Sequence, residues 1–207
     1  MKSTIALSSL GLIACDSRGL GDPVGYIAHT APTIDGGGGP GWSGFICVMP
    51  WQLYLATADI RPLQEAYPHQ IQLLQFWNRA LSKADGLIHD WSTTDVWAFL
   101  GDWITPHGSE PSVTPEAELF NNCYILWCTR IVANASHVLG NETAAVKYEA
   151  EAEALAAAIH KKFFVPATSG YLDTRQTHLV MPLIAGAVPA EHVAGVWAVS
   201  SAASTCE

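Results

Sequence analysis

A chain of 207 residues with 49% hydrophobic and only 14% charged side chains has the length of one domain and ample apolar material for a packed core, which excludes a disordered or low-complexity protein. Nineteen acidic against ten basic residues give a net charge of −9, which repels a phosphate backbone, so no nucleic-acid partner is expected. No stretch approaches the roughly 20 apolar residues of a membrane span.

The N-terminus begins Met1-Lys2 and runs through mostly small or apolar residues to Leu12-Ile13-Ala14-Cys15, which resembles a bacterial lipoprotein signal ending at its lipidated cysteine. The apolar run is short and broken by Ser8 and Ser9. Secretion or lipid anchoring at Cys15 therefore stays open, and residues 1–20 are set apart as a signal or non-native segment. The sequons Asn134-Ala-Ser136 and Asn141-Glu-Thr143 would be used only in a eukaryotic secretory pathway, which conflicts with a bacterial lipoprotein.

Residues 35–45 read DGGGGPGWSGF and match three motif shapes at once. Gly36, Gly38 and Gly41 fit G-x-G-x-x-G, Gly41-Trp-Ser43-Gly nearly forms a nucleophile elbow, and the glycine run suggests a phosphate cradle. Each shape requires a strand before it, and none is predicted; the cradle also lacks its Gly-Lys-Ser/Thr. What remains is a glycine loop that launches a helix at Ser43 or Gly44 and presents Trp42 to a core or to a ligand such as a sugar ring.

Helical periodicity then dominates. A first run over 45–58 carries Ile46, Met49, Leu53 and Tyr54 at helical spacings, with Pro50 as a kink. A tight turn near Ala58-Asp59 leads to a second run starting at Arg61-Pro62 and reaching Leu81. The third starts with Thr114 as cap and Pro115 in the first turn, and stops at Gly140. The fourth, 142–164, has Glu149, Glu151 and Glu153 early and Lys161-Lys162 late, as the helix dipole favours. A fifth spans about 174–186, and a sixth begins at Pro189-Ala190-Glu191. Short turns pair these runs into three hairpins, joined by long loops over 24–44, 85–112 and 166–173. Strand signals are almost absent, apart from a short extended piece at 24–28. The pattern defines an all-α fold of the solenoid or α/α-toroid type, occupying 21–198, with 199–207 as an irregular Ser/Ala tail.

The five cysteines have no C-x-x-C spacing, and the eight histidines are dispersed without H-E-x-x-H; buried free thiols and no metal are expected. The loop Asp95-Val-Trp97-Ala-Phe-Leu-Gly-Asp102-Trp103 is different. Carboxylates beside indoles suit a carbohydrate site, where the acid accepts sugar hydroxyls and the indole covers an apolar ring face. Paired carboxylates are also what glycosidases use.

Several ordered motifs resemble a known family. Gly39-Pro-Gly-Trp42-Ser-Gly-Phe-Ile-Cys-Val-Met-Pro50-Trp51-Gln-Leu-Tyr54, Ala58-Asp59-Ile60, Tyr67-Pro68, Phe99-Leu-Gly-Asp102-Trp103 and Gln176-Thr-His-Leu-Val-Met-Pro-Leu-Ile-Ala-Gly-Ala-Val-Pro189 look like the catalytic domain of bacterial-type α-L-rhamnosidases, glycoside hydrolase family 78. The resemblance covers roughly 21–197. It implies a six-hairpin (α/α)6 toroid, of which about half is present, and inverting hydrolysis of terminal α-L-rhamnose without metal or organic cofactor. It also implies one Glu as general acid upstream of the glycine loop and a second Glu, beyond residue 207, activating water. Neither is found: before Gly21 the only carboxylate is Asp16, and Glu207 is terminal. Ser43-Gly44 stands where the family usually carries Gly-Asp. The residues that carry over are a substrate-face lining of Trp42, Asp102 and Trp103, with Asp95 and Trp97 from the same loop. The implied partners are rhamnose-containing glycosides or polysaccharides, and half a toroid also implies self-association through its unpaired helical faces. The alternatives are a non-catalytic helical carbohydrate-binding or interaction module, and an α/α-toroid glycosidase or lyase of different specificity.

Overall fold

A computed structural model describes residues 25, 27, 39–89, 99–105, 108–109 and 114–203. Helices account for most of them: α1 Pro40–Ser43, α2 Phe45–Thr57, α3 Arg61–Ala80, α4 Pro115–Val138, α5 Glu142–Phe163, α6 Gln176–Ala185 and α7 Ala190–Ala203. Helix α4 packs against both α2 and α6, while α3, α5 and α7 each pack on the helix that precedes them. Three hairpins thus stand side by side with α2, α4 and α6 as the inner layer, the arrangement of an α/α toroid. The all-α reading and its hairpin pairing hold.

Local chemistry explains the helix ends. The Thr114 hydroxyl accepts from the Ala117 N–H at 3.1 Å, Pro115 opens α4, and Glu116 and Glu118 occupy its first turn, a charge placement the helix dipole favours. Asn141 caps α5 by accepting from Ala144 N–H at 3.2 Å, and its amide donates to the Tyr67 hydroxyl at 3.3 Å. The Tyr67 and Ser136 hydroxyls share a 2.7 Å hydrogen bond. Of the two sequons, the first has a fully buried Ser136 and the second has its Asn141 side chain engaged as a helix cap.

Pro50 sits inside α2 and has no N–H, so the Ile46 carbonyl one turn earlier loses its helical donor. Gln70 of α3, fully buried, supplies one: its Nε2 donates to Ile46 O at 3.0 Å. The proline that suggests a kink is accommodated by a side chain of the partner helix. Gln70→Leu strands that carbonyl and is expected to cost about 1–3 kcal/mol. A urea denaturation curve should show a lower midpoint at unchanged slope.

The core runs between the two layers. Trp77, Tyr148, Tyr171, Phe99, Ile46 and Leu73 are among its largest fully buried side chains. Cys47, Cys123 and Cys128 are buried free thiols, as expected for them; Cys15 and Cys206 lie outside the described residues. Burial pushes the Cys123 and Cys128 thiols up, the Cys47 thiol adding to the effect at Cys128, which leaves them inert as nucleophiles.

Two features depart from the sequence reading. Two antiparallel two-residue ladders occur, β1 Ile104–Thr105 with β2 Gly108–Ser109 and β3 Phe164–Val165 with β4 Gly170–Tyr171, too short for an alternating pattern to register. Helix α7 continues to Ala203, into the segment assigned to an irregular tail, because Ala and Ser tolerate a helix and Ser200 is buried on its inner side. Of the extended piece at 24–28, only Gly25 and Ile27 are described.

Candidate functional site at the loop end of the inner helices

The short turns at 58–60, 139–141 and 186–189 lie at one end of the hairpins. At the other end, where α2, α4 and α6 begin, α3 runs on into 81–89, residue 114 enters α4, and 164–175 joins α5 to α6. The N-termini of the inner helices therefore share one end of the hairpins.

The glycine run enters here. Helix α1 leads through Gly44 into α2 and packs on α4. A Cβ on Gly41 would stand 2.7 Å from Phe120 Cε1, and one on Gly44 would stand 2.6 Å from Tyr124 Cε1 and 2.7 Å from the Pro40 carbonyl oxygen. Gly44 has an ordinary φ of −66°, so it is required for space and not for conformation. Ser43 is buried and its hydroxyl donates to the Gly39 carbonyl at 3.1 Å, which leaves no nucleophile in the elbow-like motif. Trp42, one residue earlier, is half-buried. Gly36, Gly37 and Gly38 lie outside the described residues.

The second motif is clamped between α4 and α6. Asn121 Nδ2 donates to the Phe99 carbonyl at 3.3 Å. A Cβ on Gly101 would stand 2.7 Å from Ala117 Cα, so the turn lies directly on the α4 backbone. The Thr177 hydroxyl, from the first turn of α6, donates to Asp102 Oδ2 at 2.8 Å. Trp103 follows, 43% exposed. Asp95 and Trp97 lie outside the described residues, so of the sequence-derived set the structure describes Trp42, Asp102 and Trp103.

Charged residues that the sequence reading did not single out surround this turn. Asp173 Oδ1 accepts from the Arg175 backbone N–H at 2.8 Å and from His178 Nδ1 at 2.8 Å, while Asp173 Oδ2 accepts from Arg175 Nε at 2.7 Å. Arg175 Nη2 then donates to Glu116 Oε1 at 2.8 Å. Burial works to raise the Asp173 carboxyl, but the Arg175 backbone and guanidinium and the His178 ring outweigh it and hold the group below its ordinary value. Burial likewise works to raise the Glu116 carboxyl, but its own backbone N–H and Arg175 outweigh it and hold the group below its ordinary value. Asp59 uses the same Asp-x-Arg geometry ahead of α3, accepting the Arg61 N–H at 3.0 Å and Nε at 2.8 Å. Asp-x-Arg just before a helix was the available signal for the Asp173 cluster.

A further cluster fixes the start of the 81–114 connection. His89 Nδ1 lies 2.7 Å from Glu118 Oε1, and Lys162 Nζ 2.8 Å from Glu118 Oε2. Asn122 Oδ1 accepts from Ile88 N–H at 2.9 Å and its Nδ2 donates to Ile88 O at 2.8 Å. Among the described residues no three His, Cys, Asp or Glu side chains group as a metal site, and no helix is long and apolar enough to cross a membrane.

Three helical hairpins with α2, α4 and α6 as the inner layer define an α/α-toroid domain. The profile of the bacterial α-L-rhamnosidase six-hairpin glycosidase domain matches residues 13–207, and the chain belongs to that family. An α-L-rhamnosidase of an Alteromonas species is 25% identical over 136 residues, covering 60% of this chain and 13% of the relative. The structure of an α-L-rhamnosidase from Dictyoglumus thermophilum superposes with a TM-score of 0.77 at 22% identity, covering 95% of this chain and 21% of the other. The Streptomyces avermitilis α-L-rhamnosidase complexed with L-rhamnose gives 0.77 at 19% identity, covering 98% and 18%. The chain therefore spans well under a quarter of each of these relatives.

Proposed function

We propose that these hairpins form the sugar-recognising face of an α-L-rhamnosidase that removes terminal α-L-rhamnose from glycosides with inversion. The observation that carries this reading is the Gly101–Asp102–Trp103 turn, set on the α4 backbone at Ala117 with its carboxylate held by Thr177 of α6 and followed in sequence by an exposed indole. Trp42, Asp102 and Trp103 are assigned to the substrate face, and Asp95 and Trp97, outside the described residues, are assigned to the same set by the family resemblance. In an inverting reaction a neutral carboxylic acid protonates the glycosidic oxygen while a carboxylate roughly 6.5–9.5 Å away activates water. Glu116 and Asp173 do not fit the acid, because Arg175 favours their ionised forms and a general acid needs a raised pKa. The acid and base are assigned to parts of a complete toroid outside these residues.

The test is titration of the purified chain with methyl α-L-rhamnoside, alongside an aryl α-L-rhamnoside assay. Saturable binding is expected, with Trp103→Ala weakening it about tenfold through loss of the stacking face, and no released rhamnose. A folded chain that fails to bind rhamnose overturns the sugar assignment. Robust turnover overturns the placement of acid and base. The accompanying proposal is self-association of a second copy through α7, whose Val193 and Trp197 lie one turn apart at 41% and 62% exposure. Sedimentation should show Trp197→Lys shifting the population towards monomer.

A further inference from the structure

Asp102 is held at three points along its own short segment. Asn121 holds the Phe99 carbonyl, Gly101 rests on the backbone of α4 at Ala117, and Thr177 donates to the carboxylate itself at 2.8 Å. The first two fix the turn; only the third fixes the rotation of the functional side chain. A carboxylate has two oxygens and no donor. With Oδ2 taken by Thr177, Oδ1, which accepts no hydrogen bond among the described residues, is left to accept one from a ring hydroxyl beside the exposed Trp103 indole.

Thr177 is suited to that task. On a helix its χ1 is confined to two rotamers, and the one that it adopts aims the hydroxyl at Asp102. It also stands between Arg175 and His178, both tied to Asp173, with Arg175 tied onward to Glu116 at the start of α4. The hydroxyl is thus anchored by the same network that joins α6 to α4, and its direction is set before any ligand arrives. A carboxylate held in one orientation avoids the ordering cost that a free side chain incurs on binding.

We propose that Thr177 is a positioning residue that sets the Asp102 carboxylate for recognition of a sugar hydroxyl; this rests on the sugar-binding reading of the same turn. The experiment is calorimetric titration of the full chain with methyl α-L-rhamnoside. It compares wild type, Thr177→Ser, Thr177→Val and Thr177→Ala, and adds Thr177→Val in an Asp102→Ala background. Thr177→Ser retains the hydroxyl and should bind within about twofold of wild type, whereas Val and Ala should each raise Kd about tenfold, the loss expected for a charge-assisted hydrogen bond. In the Asp102→Ala background Thr177→Val should add nothing further. The inference is overturned if Val and Ala bind like wild type, if Ser fails to rescue, or if Val weakens binding equally without Asp102, which is the signature of a merely structural role. Absence of binding by folded wild type is a distinct result that overturns the sugar reading and, with it, this inference.

Discussion

Gly44→Ala is expected to lower the melting temperature by about 6–12 °C, the equivalent of about 3 kcal/mol of overpacking in a chain of this size. The added methyl would meet Tyr124 Cε1 at 2.6 Å, Pro40 O at 2.7 Å and Cys128 Sγ at 2.8 Å. Tyr124 has a side chain that can yield, but the Pro40 oxygen belongs to the backbone of α1 and moves only if that helix moves. Tyr124→Leu in the Gly44→Ala background should therefore recover only part of the loss. Gly140→Ala is the contrasting case. Nothing lies within 4 Å of its added methyl, and its φ of +76° is what the substitution strains, so about 1 kcal/mol is expected. A Gly44→Ala chain melting within about 2 °C of wild type would mean that α1 does not approach α4 this closely. Because Trp42 sits on α1, the same substitution should also weaken rhamnoside binding, whereas Gly140→Ala should leave it unchanged.

The hairpins were legible because their ends are written in adjacent residues. Thr114-Pro115, Gly140 and the Glu-to-Lys gradient of α5 act within a turn or two of themselves, and local rules suffice to read them. The close approach of α1 to α4 was not legible. Gly44 resembles a hinge glycine until Tyr124 and Cys128, far away in sequence, are placed beside it. The two-residue ladders were invisible for another reason: Phe164–Val165 is too short to show a period of two. Helix α7 outran its expected end because the Ser/Ala composition of 199–203 opposes a helix only weakly, and the inward-facing Val196 and Ser200 are both buried.

The candidate site divides along the same line. Asp102 and Trp103 could be singled out because an acid beside an indole is unusual in a loop. Their support could not, since Thr177 lies 75 residues further along the chain and joins them only through the packing of α6 on α4. The Asp173 cluster falls between these cases. Its Asp-x-Arg is local and recurs at Asp59-Ile60-Arg61, but the His178 and Glu116 contacts that turn a helix cap into an interhelical tie are tertiary.

That tie carries the second large effect. Asp173→Ala removes the acceptor for the Arg175 backbone N–H, for Arg175 Nε and for His178 Nδ1. Arg175 keeps Glu116, but His178, only 3% exposed, is left with its Nδ1 acceptor gone. Charged hydrogen bonds contribute about 1.5–3 kcal/mol each, and they are not additive within one network, so a loss of about 3 kcal/mol is expected. Asp173→Asn retains an acceptor oxygen without the charge and should lose roughly half as much. The pH dependence separates this origin from simple loss of packing. Asp173 and Glu116 both have carboxyls held below their ordinary values in the folded chain. Their contribution is therefore complete above the ordinary carboxylate range and is lost as pH falls below about 4 through the folded values. His89 has the opposite sign: its hydrogen bond to Glu118 outweighs burial and raises it, so its contribution is already complete below about pH 6 and is lost only as pH rises. The gap in urea midpoint between wild type and Asp173→Ala should be full at about pH 7, begin to narrow below about pH 4 and go on narrowing to about pH 2.5, because protonation removes from wild type what the substitution has already removed. A gap that stays constant down to the lower pH would assign the loss to packing of α6 and not to the ionised carboxylate.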